Sequence, residues 1–224
     1  MKEPSRIEAV TIGPQRLPGE LVVPRDAAGL VVFAHGSGSS RLSPRNVFVA
    51  AELQARGLGT LLFDLLTESE AEDRANVFDI GLLGARVSAA LDWIDERADL
   101  ARLRVGLFGA STGAAAALVA AAGRERRIAA VVSRGGRPDL AGRHLARVKA
   151  ATLLIVGGDD RVVLQLNRDA FAELRCEKRL EVVGGATHLF EEEGALERVA
   201  TLAADWFVRH LASAFEGRPR SGRS

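Results

Sequence analysis

Ser111, Asp160 and His188 follow one another in the order serine, acid, histidine, and each stands in or just after a glycine-bearing turn behind an apolar run. A serine hydroxyl is a poor nucleophile at neutral pH. It needs a base to take its proton, and the base needs a carboxylate that fixes its tautomer and stabilises its cation. Ser111 lies in Gly109-Ala110-Ser111-Thr112-Gly113, a G-x-S-x-G turn between the apolar Val105, Leu107 and Phe108 and an alanine run that ends at Ala122. Alanine is the best helix former, so this stretch reads as strand, sharp turn and helix, with the serine at the apex of a strained backbone. Asp160 follows the apolar run 152–156 through Gly157-Gly158-Asp159, and His188 follows 180–183 through Gly184-Gly185-Ala186-Thr187.

Acyl transfer through a serine passes over a tetrahedral intermediate whose negative oxygen needs two backbone donors. The Thr112 N–H, immediately after the serine and at the positive end of the next helix, is one candidate. The Ser37 N–H is the second, in His35-Gly36-Ser37-Gly38-Ser39-Ser40, where Gly36 and Gly38 permit close backbone approach. His35, directly before Gly36, suits bracing of that loop better than base catalysis. Arg41 and Arg134 lie on or near the same rim, where a guanidinium can grip a substrate carboxylate or phosphate, so anionic esters are the expected preference.

Each residue also has a simpler reading. Ser111 can be a helix cap and a rim aspartate such as Asp159 or Asp160 another, while loop histidines are often structural. A nucleotide-binding turn is a sharper rival, since Gly106, Gly109 and Gly113 flank a strand. The G-x-G-x-x-G spacing and an acidic residue about 20 positions on are both missing. His188 is the one histidine placed in a loop after the last strand, whereas His144 and His210 fall in helical segments.

The elements that must position these groups alternate. Strands are expected at 7–12 and 21–23, separated by a Gly13-Pro14 break and a Pro18-Gly19 turn as suits an edge hairpin, then at 30–34, 60–63, 105–108, 129–132, 152–156 and 180–183. Helices are expected from Ser43-Pro44 to Gly57, over 76–97, over 112–122, over 162–175 and over 191–214, the last with Glu191, Glu192 and Glu193 in its first turn. Continuous apolar strands alternating with helices specify a mostly parallel sheet with helices on both faces. The carboxyl ends of the strands then share one rim, which carries His35 to Ser40, Asp64, Ser111, Arg134, Asp159, Asp160 and His188.

Length and composition bound the rest. The 224 residues are 47% hydrophobic with a net charge of +1, which fits one domain over 1–216, with the tail 217–224 read as disordered. No basic excess points to nucleic acid, and no apolar run approaches the roughly 18 residues that a membrane span needs. A charged N-terminus without a hydrophobic signal segment reads as cytoplasmic. The single cysteine, Cys176, excludes an intrachain disulfide, and no histidine or cysteine spacing matches a metal motif. No metal or organic cofactor is expected, and the expected partner is a small ester or thioester. A homodimer is left open.

In order, HGSGSS, GASTG, LLIVGGDD and GATHLF resemble, over nearly the whole chain, an α/β-hydrolase fold protein of the dienelactone hydrolase-like group. The resemblance implies Ser111 as nucleophile, Asp160 as acid and His188 as base. One departure is that dienelactone hydrolases proper use a cysteine nucleophile where this chain has Ser111, which favours a general carboxylic-ester or thioester hydrolase. The chain is also similar to hydrolase domains fused to phosphoribosyltransferases, without the partner domain. Between Val132 and Thr152 there is no room for the lid that many relatives insert, so an open site and small or exposed acyl substrates are expected, with residues 67–74 as the alternative partial cover. Acyl transfer to an acceptor other than water, and a non-catalytic binding scaffold, are the competing functions.

Overall fold

Runs such as Leu-Val-Val-Phe-Ala at 30–34 and Gly-Thr-Leu-Leu-Phe at 59–63 have no exposed member, so they form strands covered on both faces. The computed structural model describes residues 5–125 and 127–212; the expected disordered tail at 217–224 lies outside them. Eight strands make one sheet: β1 (Arg6–Ile12), β2 (Leu17–Val23), β3 (Leu30–Ala34), β4 (Gly59–Phe63), β5 (Val105–Ala110), β6 (Ile128–Arg134), β7 (Ala151–Gly157) and β8 (Lys178–Val183). Their order is β1-β2-β4-β3-β5-β6-β7-β8. The first two pair antiparallel at one edge, and β3 to β8 are parallel.

Two layers of helix cover the sheet. On one face lie α4 (Ile80–Asp95) and α5 (Thr112–Gly123), with Leu83, Val87, Leu91 and Ile94 of α4 at helical spacing against the core. On the other lie α1 (Pro44–Ala55) and α7 (Ala195–Leu211), through Val49, Leu53, Val199, Ala203 and Phe207. α6 (Arg161–Glu173) packs beside a 3-10 segment at Pro138–Arg147, kinked at Gly142 with φ 48°. No helix among the described residues is long and apolar enough to cross a membrane.

Three local expectations are corrected. The hairpin turns at the expected Gly13-Pro14 break, where Arg16 N–H donates to Gly13 O, but Pro18 and Gly19 lie inside β2 and not in a further turn. Gly19 fits there because a side chain would crowd Phe63 of β4, and the nitrogen of Pro18 falls just beyond the Gly19–Val22 register with β4. The helix expected over 76–97 is broken. Two short helices, α2 (Glu68–Glu72) and α3 (Arg74–Phe78), precede it, and Asp79 leaves helical geometry to accept from Leu82 N–H at 2.9 Å as the cap of α4. The last helix starts at Ala195, behind Gly194 at φ 73°, so the acidic run 191–193 precedes it as loop.

Candidate active site

The elbow begins with β5, whose last residue, Ala110, is buried and leads directly into Ser111. Ser111 has φ 52° and ψ −124°, a conformation that a non-glycine residue holds only when its surroundings fix it. Its N–H donates to Arg134 O at 3.3 Å, and its carbonyl accepts from Ala114 N–H at 3.1 Å and Arg137 N–H at 3.0 Å. A side chain at Gly36 would meet the Ser111 Cβ at 2.8 Å, so the loop after β3 closes directly on the serine. At Gly113 a Cβ would overlap the carbonyl oxygens of Ala34 and His35.

Asp160 and His188 are brought together from two strand ends. His188 Nδ1 lies 2.7 Å from Asp160 Oδ2. An ionised carboxylate only accepts, so Nδ1 carries the proton and Nε2 is left with a lone pair facing away from the acid. The Asp160 side chain is 15% exposed and that of His188 39%, which leaves the imidazole open on its outer edge. The His188 Cε1 stands 3.7 Å from where a Gly135 Cβ would be, next to Arg134, whose carbonyl holds the Ser111 amide. Ser111 Oγ makes no hydrogen bond to His188 in this resting arrangement, and such bonds commonly tighten only with substrate bound.

The histidine loop is fastened by residues that no motif announces. Phe190 is 1% exposed with φ 57°, Thr187 Oγ1 donates to Glu192 at 2.5 Å, and Glu191 pairs with Arg45 of α1 at 3.2 Å. These links cross more than one element, so only an aromatic after the histidine hinted at them.

The two oxyanion candidates lie side by side. Ser37 N–H donates to Thr112 Oγ1 at 3.0 Å, so an entering oxyanion must share or replace that acceptor. Thr112 opens α5, and its N–H therefore has no acceptor within the helix. His35 braces the loop, as expected from its place in the chain: Nε2 accepts from Leu65 N–H at 3.0 Å and Nδ1 lies 3.0 Å from Gly36 O. Burial pushes its pKa below the ordinary histidine value, which keeps the ring neutral and the acceptor at Nε2 intact.

The two arginines differ. Arg41 is held by Asp64, through its backbone N–H at 2.6 Å and its guanidinium at 2.5 Å. Arg134 is 7% exposed, its Nε is buried without a partner, and no carboxylate among the described residues pairs with it. Burial, with the nearby Arg45 charge, pushes its pKa down to about 10. A buried guanidinium lacking its counter-ion is costly, and an anion placed beside it would remove that cost.

Comparison with known proteins agrees with this architecture. A dienelactone hydrolase from Anabaena variabilis has 53% identity and a TM-score of 0.89, over 94% of this chain and 100% of that one. Est1E from Butyrivibrio proteoclasticus shares the fold at 15% identity, with a TM-score of 0.76 over 91% of this chain and 99% of that one. Two Mycobacterium tuberculosis sequences with a provisional phosphoribosyl transferase name are 58% identical over 210 residues. That match covers 93% of this chain and 47% of theirs, so the chain spans about half the length of these curated relatives. The family model for the dienelactone hydrolases matches residues 26–212, and the chain, an α/β hydrolase with a serine at its elbow, belongs to that family.

Proposed function

We propose that the protein hydrolyses a carboxylic ester or thioester through an acyl-serine intermediate, with Ser111 as nucleophile, His188 as general base and Asp160 as its orienting acid. The observation that carries this reading is the 2.7 Å contact between His188 Nδ1 and Asp160, behind a serine held at φ 52°. His188 Nε2 takes the Ser111 proton as Oγ attacks the carbonyl carbon, and the oxyanion is received by the Thr112 and Ser37 amides. Collapse expels the alcohol or thiol, which leaves with that proton. Water then attacks the acyl-serine by the same route and frees the acid. Phosphoribosyl transfer, the activity in the longer relatives' names, forms no part of this reading, since the chain spans about half of their length.

Intact mass after treatment with a small fluorophosphonate tests the nucleophile. One adduct per chain is expected on wild type and none on Ser111→Ala. An unlabelled, folded wild type would overturn the reading in favour of a binding scaffold.

Arg134 supplies the charge preference of this site. Its guanidinium is the cation left for a substrate carboxylate or phosphate, because Arg41 is already paired with Asp64. Arg134→Met is expected to lower kcat/KM on a carboxylate-bearing ester by about 10- to 100-fold relative to its neutral match, the range of a charge-assisted hydrogen bond. The same variant is expected to be as stable as wild type or more so, since a buried unpaired charge is replaced by an apolar chain. Unchanged discrimination between the two esters would remove Arg134 from recognition.

A further inference from the structure

A cavity of about 350 Å³ opens beside the oxyanion loop, between His35–Leu42 on one side and the α2–α3 segment on the other. Its apolar wall is Leu42, Leu65, Leu66, Ala71, Val77 and Leu83. The charges on it are spoken for or lie at the surface: Arg41 is held by Asp64, His35 by two backbone groups, and Glu68 is exposed. The roof is pinned in place. Glu70 of α2 binds Arg86 of α4 at 2.6 Å and the Thr67 amide at 2.9 Å, and Asn76 of α3 donates to the Glu70 carbonyl at 3.0 Å. Leu42 and Phe78, both large and exposed, border this region, Phe78 on the adjoining surface with Ser37 and Val77.

The direction of proton transfer decides which half of the substrate enters. The leaving group takes its proton from His188, so it must stand on the His188 side of Ser111. That side is the end of β6, where the imidazole edge lies over Gly135 and where Arg134 sits. The acyl group then extends the opposite way from Ser111, across β3 toward β4, and the cavity lies there. Its size is at the lower end of small-molecule sites. At roughly 30 Å³ for each water-sized group, it holds a chain of up to about ten carbons.

We propose that this cavity binds the acyl half of the substrate, an unbranched apolar chain of medium length, and that Val77 of α3 sets its limit. The inference rests on the hydrolase reading above and deepens it: the substrate is an apolar acyl group carried by a leaving group that reaches Arg134. It also takes up the alternative of a partial cover at residues 67–74 in place of small acyl groups in an open site, since α2 and α3 form one wall.

The test is the kcat/KM profile on 4-nitrophenyl esters from acetate to dodecanoate. Wild type is expected to rise by up to about fourfold per added methylene, to a maximum near eight carbons. Val77→Trp is expected to lower the octanoate-to-acetate ratio of kcat/KM by at least about tenfold, whereas Val77→Ala moves the maximum to longer chains. A flat profile, or an unchanged one in Val77→Trp, overturns the acyl pocket even with Ser111 labelled. Should fluorophosphonate labelling fail instead, the cavity is judged by binding alone. Methyl signals of Leu65, Val77 and Leu83 in Ser111→Ala are expected to shift with added 1-octanol, and no shift there overturns the proposal.

Discussion

Replacing Asp160 by asparagine is expected to lower kcat/KM on an activated ester by about 10⁴-fold with little change in fold, and His188→Ala by as much or more. The asparagine amide can donate to Nδ1, which the carboxylate cannot do. It therefore favours the tautomer with its proton on Nε2, the nitrogen that must accept from Ser111. The geometry survives while the protonation is wrong. Removing His188 takes away the acceptor itself. Because the three residues act as one unit, Ser111→Ala combined with His188→Ala is expected to cost no more than either alone. Steady-state hydrolysis of 4-nitrophenyl butyrate, with unfolding midpoints measured alongside, checks all of these. A loss of under about tenfold in Asp160→Asn would mean that the 2.7 Å contact to His188 is structural only.

The buried runs at 30–34, 59–63 and 151–157 are legible in the sequence because a strand covered on both faces has to be apolar throughout. The order of Ser111, Asp160 and His188 is legible for a related reason: Ser111 and Asp160 each follow such a run, His188 follows the half-exposed edge strand β8, and parallel strands deliver their carboxyl ends to one rim. What is hidden depends on contacts far apart in the chain. The apolar period of α4 continues back past Asp79, so only the cap geometry reveals the break that makes α2 and α3 a separate wall. Pro18 and Gly19 have turn chemistry, yet β1, pairing with both, and β4, pairing with Gly19, hold them in a strand. The difference between Arg41 and Arg134 is likewise invisible locally, since it rests on Asp64 reaching one and no carboxylate among the described residues reaching the other.

Gly113→Ala is expected to destabilise the protein by about 3 kcal/mol or more and to abolish ester hydrolysis. Its added methyl would overlap the carbonyl oxygens of Ala34 and His35 at the end of β3. A crowded side chain can rotate away, but these are backbone atoms of a central strand, paired to β4 and β5. Relief therefore requires α5 to move off the sheet, which takes Thr112 away from Ser37 and draws the loop at Gly36 off Ser111. The fault thus reaches stability and oxyanion geometry together. Gly123→Ala, at the far end of the same helix, is the control, because no packed neighbour among the described residues lies within 4 Å of the position its methyl would take. Alanine's better helix propensity makes that variant neutral or more stable by up to about 1 kcal/mol. Urea unfolding of both variants separates the two causes. Equal midpoints would show that the elbow tolerates a side chain at 113.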